Sequence, residues 1–275
     1  MDRYLEKRNL GIRWIFFVIF LALFAADAYF VISGKSASFD TLVQETIFDL
    51  RTGPLTSVLT VITHFADTKV IGALCILLII LPNRMKFGLP IALATGLGSC
   101  VHYGLKHFIE RARPDEAMWL VPEDGFSFPS GHSNAGLIFF MFVAVLLGRY
   151  LIMGNSRFGA FLLRFLLGLL VFVIGVSRIY VGVHYPTDVL GGWSLGIALL
   201  ILFLILYDFA WPAKWRVSYE PPKWSAIPLD YEKNKNWKMA NKKHATGELL
   251  EFPKHRSAWK MPNKSNKETP NPDDR

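Results

Sequence analysis

Ser177-Arg178-Ile179-Tyr180-Val181-Gly182-Val183-His184-Tyr185-Pro186-Thr187-Asp188 sits where one long apolar run ends and another begins. The flanking runs, about Phe161–Tyr180 and Thr187–Phe209, are almost free of charge. Each has about the length a helix needs to cross a ~30 Å hydrocarbon layer at about 1.5 Å per residue. The stretch therefore reads as the polar rim between two membrane spans, and it gathers a guanidinium, an imidazole and a carboxylate. Arg178 can grip an oxyanion with a two-pronged fork. A neutral His184 can act as a nucleophile, and Asp188 is placed to hold its other ring nitrogen in the right tautomer. Pro186 suits the first turn of the helix that follows, which brings Asp188 close to His184.

Outward from this hinge the same pattern recurs. Further apolar runs lie at about Trp14–Ser33, Thr68–Pro82, Phe87–Phe108 and Gly131–Leu151. A soluble chain would interrupt such runs with polar faces. With 52% hydrophobic residues in 275, the chain reads as an all-α, polytopic membrane protein with a six-transmembrane-helix bundle over 14–209. Gly88, Gly96, Gly98 and Ser99 are read as points of close helix contact. Cys75 and Cys100 fall inside apolar runs and read as small core residues rather than a disulfide or metal pair.

Charge sets the orientation. Arg3, Lys7, Arg8 and Arg13 precede the first run, which is too long for a signal-peptide core and has no clear cleavage site after it. It reads as a retained span with residues 1–13 in the cytoplasm. The loop Asn83-Arg84-Met85-Lys86 and the connection bearing Arg149, Arg157 and Arg164 are basic, whereas acids outnumber bases in 109–130. Parity then puts both termini inside and 109–130 outside. Asp27 interrupts the first span and is read as bundle-facing or snorkelling. Residues 34–52 carry apolar residues at the spacing of an amphipathic surface helix. Gly53-Pro54 marks a turn, and the short apolar stretch Leu55–Ala66 after it has no definite place relative to the bilayer.

Residues 210–275 form a basic tail containing Pro and Trp, with 14 lysines and arginines against 8 acids from residue 209 onward. Its apolar content is too low for a core, which predicts a flexible or surface-lying segment attracted to anionic lipid headgroups. It carries no nucleic-acid-binding signature.

Three polar clusters fall on the outer side by this topology. They are Lys106 to Pro114 at the end of the third span, Pro129-Ser130-Gly131-His132 at the start of the fourth, and the opening stretch between the fifth and sixth. Together they supply what a phosphoryl group needs: cations around its oxygens, hydroxyl and backbone donors, a nucleophile in line, and an acid behind the leaving oxygen. Lys106, Arg113 and Arg178 are the cations. Ser130 offers a hydroxyl, and Gly131 lets a backbone N–H approach at a helix N-terminus. His184 has a carboxylate four residues on and His132 has none nearby in sequence, which favours His184 as nucleophile and His132 as general acid.

The pattern Lys-x6-Arg-Pro, then Pro-Ser-Gly-His, then Ser-Arg-x5-His-x3-Asp is similar to that of the type 2 phosphatidic acid phosphatase superfamily. Every position is filled, by Lys106, Arg113, Pro114, Pro129, Ser130, Gly131, His132, Ser177, Arg178, His184 and Asp188. The resemblance implies a metal-independent lipid phosphatase, without a cofactor, with a six-helix core and an outer-face active site in a bacterial cell membrane. It implies a phosphohistidine at His184 supported by Asp188, and proton transfer by His132. Lys106, Arg113, Ser130, Gly131 and Arg178 would bind the phosphate. Two readings stand beside hydrolysis: a lipid phosphotransferase using the same phosphohistidine, and a non-catalytic lipid-binding scaffold. His102, one helical turn before Lys106, is read as structural rather than as a contact of the site, and His64 and Asp67 likewise as structural rather than as lining the outer mouth.

Overall fold

The computed structural model describes residues 2–217, with side chains from residue 10 onward. Among the described residues all regular structure is helical. The α-helices are α1 (Asp2–Ile32), α2 (Ala37–Phe48), α3 (Gly53–Thr63), α4 (Thr68–Ile80), α5 (Gly88–Ile109), α6 (Gly131–Met153), α7 (Arg157–Tyr180) and α8 (Pro186–Phe209). The expected basic tail lies, beyond Val217, outside the described residues, as do the side chains of Arg3, Lys7 and Arg8.

Four helices are long and apolar enough to cross a membrane: α1 from Leu10, α6, α7 and α8. A fifth crossing is available if α3 and α4 count as one span, bent by 50° at the break between them. This corrects the expected second span. Thr68–Pro82 yields a helix of only 13 residues, about 20 Å long, which is too short to cross alone. The stretch before it, left without a place by its composition, is a helix leading into the bend. The expected third span does form a 22-residue helix, α5. His102, Lys106 and His107 lower the hydropathy of its second half, so it does not qualify on composition.

The large side chains of α1 and α7, such as Ile15, Val18, Phe161 and Phe165, are exposed. That is the surface an apolar solvent tolerates and water does not. The core is gathered around α6 and α8, where Leu137, Ile138, Phe142 and Leu195 are buried. Asp27 faces the bundle, with its carboxylate against Gly191. Cys75 is half-buried, but Cys100 is exposed and so is no core residue. Of the small residues on α5, Gly88 and Gly98 are in close contact with other helices, while Gly96 has open space around it.

Several local features bring the polar helix ends together. At Gly192 an added Cβ would lie 2.7 Å from the Ser130 carbonyl and 2.8 Å from Ser133 Cβ. That close approach holds the start of α8 against the start of α6, and Ser130 N–H donates to the Asp188 carbonyl at 2.9 Å. Gly182, at φ +83°, turns the chain out of α7 in a conformation other residues avoid. At the opposite end, Asp208 of α8 accepts two bonds from Arg149 of α6, at 2.6 and 2.9 Å, and one from Arg13 of α1 at 2.6 Å.

The amphipathic helix α2 is docked by one buried carboxylate. Asp40 is 1% exposed and accepts from Thr187 N–H at 3.0 Å, from the Thr187 hydroxyl, and from Arg111 Nη2 at 2.6 Å. Removing Asp40 would take one of two carboxylates from Arg111 and leave the buried Thr187 N–H without its acceptor, which costs about 1–3 kcal/mol for the unpaired group alone. Asp40→Ala should therefore lower the melting temperature in detergent strongly. A melting temperature unchanged from the parent protein would contradict this role for α2.

Candidate active site

The C-termini of α5 and α7 and the N-termini of α6 and α8 end at one pole of the bundle, and every candidate site residue lies there. His184 is in the short turn between α7 and α8 and is 1% exposed. Arg113 Nη1 lies 3.3 Å from its Nε2. A guanidinium can only donate, so Nε2 must accept, which leaves the ring proton on Nδ1. Nδ1 in turn lies 3.3 Å from Asp188 Oδ2. The geometry thus sets the tautomer that puts the Nε2 lone pair toward the cations.

Asp188 is 0% exposed and both of its oxygens accept hydrogen bonds. Oδ1 takes Arg111 Nη1 at 2.6 Å. Oδ2 takes the Ser127 hydroxyl and the Tyr185 N–H, the latter at 2.7 Å. Arg111 thereby bridges two buried carboxylates, Asp188 and Asp40. Burial alone would lower its pKa, but Asp188 and Asp40 more than offset this and raise it. His184 has no such support. Burial, then the charges of Arg113, Arg178 and Lys106, hold its pKa well below the usual imidazole value. It is therefore neutral at ordinary pH.

The cations are organised by a carboxylate that sequence reading passed over. Arg178, 2% exposed, donates from Nη2 to Glu123 Oε2 and from Nη1 to Thr63 Oγ1 at 2.9 Å. The other oxygen of Glu123 lies 3.6 Å from Arg113 Nη2. One carboxylate thus lies between the two guanidiniums, as an oxyanion of a substrate would. Arg178 Nε is buried with no partner among the described residues, so the fork has a donor to spare. Arg113 is braced by three carbonyls, of Gly125, Asp124 and Val183, each at 2.8 Å. Lys106, half-buried on α5, lies within electrostatic reach of Arg113, Glu123, Asp188 and Arg178. A cleft of about 440 Å³ opens beside Arg113 and Glu123, with Trp119 in its wall.

Ser130 caps α6. Its Oγ accepts from Ser133 N–H at 3.4 Å and from the Ser133 hydroxyl at 3.1 Å, so its own O–H remains a donor. Beside Gly131 the space is tight, because an added Cβ would lie 3.1 Å from His102 Cε1. His102 donates from Nε2 to the Pro129 carbonyl at 2.9 Å, the structural bond expected of it. His132, in the first turn of α6, differs from expectation. It does have a carboxylate partner, since its Nε2 lies 2.8 Å from Asp67 Oδ1. Asp67 sits 65 residues earlier in the chain, so proximity in sequence could not find it. A carboxylate therefore does not distinguish the two histidines. What distinguishes them is their nearest partner: His184 lies against Arg113 and is fully enclosed, whereas His132 lies against Asp67 and is slightly more open, with 13% of its side chain exposed.

Arg111, Asp40, Glu123, Ser127 and Asp67 are the site residues that sequence reading missed or underrated. Of these only Asp67 is weighed for the outer mouth from sequence, and there it reads as structural. The others carried no spacing signal, because the contacts Arg111–Asp188, Arg111–Asp40, Ser127–Asp188 and Glu123–Arg178 span 55 to 77 residues.

Residues 87–212 match the model of the PAP2 superfamily. Phosphatidylglycerophosphatase B of Bacillus subtilis (strain 168) is 35% identical over 196 residues, 69% of this chain and 90% of that protein. A lipid A 1-phosphatase of Rhizobium etli is 35% identical over 112 residues, 38% of this chain and 43% of its own length. Among solved structures, the crystal structure of a transmembrane PAP2 type phosphatidylglycerolphosphate phosphatase from Bacillus subtilis superposes with a TM-score of 0.62 at 30% identity, covering 71% of this chain and 96% of that one. With those helices, that site and these relatives, the chain belongs to the PAP2 superfamily as an integral membrane protein.

Proposed function

We propose that this protein is a lipid phosphatase that hydrolyses a phosphomonoester or pyrophosphate of a membrane lipid through a phosphohistidine on His184. The observation that carries the reading is the carboxylate of Glu123 lying between Arg113 and Arg178. That is an anion already bridging two forks beside a neutral imidazole. A substrate phosphate would replace Glu123 and meet the His184 Nε2 lone pair, with Lys106, the Ser130 hydroxyl and the Gly131 N–H on its other oxygens. Asp188 then supports the imidazolium character that develops as nitrogen bonds to phosphorus. His132 gives its proton to the departing lipid oxygen and afterwards takes one from water.

The relatives bear on the substrate class. Two carry names of enzymes that remove a phosphate from a membrane lipid, which supports a lipid phosphate as the substrate; the candidates are phosphatidylglycerophosphate, phosphatidate and a polyprenyl pyrophosphate. The proposed topology has six spans, counting α5 and the bent α3–α4 pair, with both termini cytoplasmic and the site at the outer face. It rests on the basic N-terminus and inner loops. It also rests on the antiparallel helix order, in which Arg13, Arg149 and Asp208 mark the pole opposite His184.

Three measurements test this. Protein purified in detergent with EDTA should release inorganic phosphate from at least one of these lipids, and activity that appears only on adding a divalent metal would contradict it. His184→Ala and Arg178→Ala should each lower kcat by at least about a hundredfold while the protein elutes as a folded monodisperse peak. The pH dependence has a definite sign. Neutral His184 is the reactive form and its pKa lies well below the ordinary 6.5, so protonation of the nucleophile should lower kcat/KM only well under pH 6.5. The unfolded chain, by contrast, takes up that proton near 6.5, so this residue erodes folding stability as pH falls below 6.5 and has no effect above it. An acid limb at 6.5 that His184 alone accounts for would contradict the burial argument.

A further inference from the structure

Asp67 occupies an unusual position for a helix-capping residue. It precedes α4, where an aspartate ordinarily accepts from the helix's own first N–H groups and adds about 1 kcal/mol. Here it makes no side-chain cap bond. Its two oxygens go to two imidazoles, Oδ1 to His132 Nε2 at 2.8 Å and Oδ2 to His64 Nδ1 at 2.7 Å. The break that bends α3–α4 by 50° is what aims the carboxylate across to the start of α6.

The charges around His132 make this partner consequential. Burial, the guanidinium of Arg178 from α7 and the positive end of α6 itself all disfavour a positive charge there. Against them stand Asp67, in direct contact, and Glu123 from the loop before α6. Glu123 is committed to Arg178 and would move away when a phosphate binds. Asp67 is then the counter-charge that remains on the imidazole.

We infer that Asp67 is a positioning residue that orients His132 as the proton donor and supports its charged form, acting on Nε2 so that Nδ1 serves the substrate. The inference rests on the phosphatase reading and deepens it. In the first step the His184 lone pair forms the N–P bond and the P–O bond to the lipid breaks. The departing oxygen keeps the electron pair and takes the proton from His132 Nδ1. In the second step His132 recovers a proton from water as the water oxygen bonds to phosphorus and the electron pair returns to His184.

Leaving-group dependence tests this. An alkoxide leaving a lipid phosphomonoester needs the proton, whereas nitrophenolate leaving p-nitrophenyl phosphate does not. In rapid-quench experiments Asp67→Asn should slow the first-turnover release of the lipid alcohol by about a hundredfold, while the nitrophenolate burst slows far less. Labelled phosphoenzyme should still form from the aryl substrate, and Asp67→Glu should restore part of the lipid rate. Equal slowing with both substrates in Asp67→Asn, or parent rates with both, would overturn the inference and leave the phosphatase reading intact. Failure of the unaltered protein to form phosphoenzyme from either substrate would instead overturn that reading and this one with it.

Discussion

The arrangement depends on holding at least three cations around one imidazole away from water. Lys106, Arg113 and Arg178 repel one another, and burial makes each costlier. Such a cluster survives only if it is pinned, and carboxylates pin it from two sides. Glu123 joins the two guanidiniums at the front. Behind His184, Asp188 is held by Arg111, which is held in turn by Asp40 on α2. Burial and the cations together keep His184 neutral, and Asp188 fixes which of its nitrogens presents the lone pair. One charge distribution therefore binds an anion and prepares a nucleophile for it.

The fold supplies that distribution by bringing helix ends together rather than by a loop scaffold. α5 and α7 finish, and α6 and α8 begin, at the same pole, so each connection contributes a few polar residues at one membrane depth. The tight contact of α8 with α6 at Gly192 links the Pro-Ser-Gly-His turn to the His-x3-Asp turn through the Ser130 N–H. α2 lies across this pole and ties it down through a single buried aspartate. A small displacement of α2 would be felt at Asp188 through one shared arginine.

Much of this was legible in the sequence, for identifiable reasons. The long apolar runs exposed α1 and α6 to α8 because a hydrocarbon solvent demands uninterrupted hydrophobicity. The site motifs were legible because His184 and Asp188 are four residues apart on either side of a helix start, and because Lys106 and Arg113 flank a helix end. The bent pair was not, since α3 and α4 are each too short to announce a span and only the three-dimensional bend joins them. The supporting shell of Asp40, Arg111, Glu123 and Ser127 was also hidden. A loop acid that pairs with a helix arginine 55 residues later reads, in one dimension, as ordinary surface charge. Asp67 shows the cost of this: without it, His132 looked unpartnered and the two histidines were sorted on a difference that does not exist.

The central claim is that an oxyanion joins Arg113 and Arg178 directly in front of His184. A structure of the full-length protein with orthovanadate, which copies phosphate and accepts a fifth ligand, tests it most directly. The account predicts vanadium bonded to His184 Nε2, both guanidiniums on its oxygens, and the Glu123 carboxylate moved off Arg178. Vanadate bound elsewhere on the pole, with Glu123 still on Arg178 and His184 untouched, would contradict it.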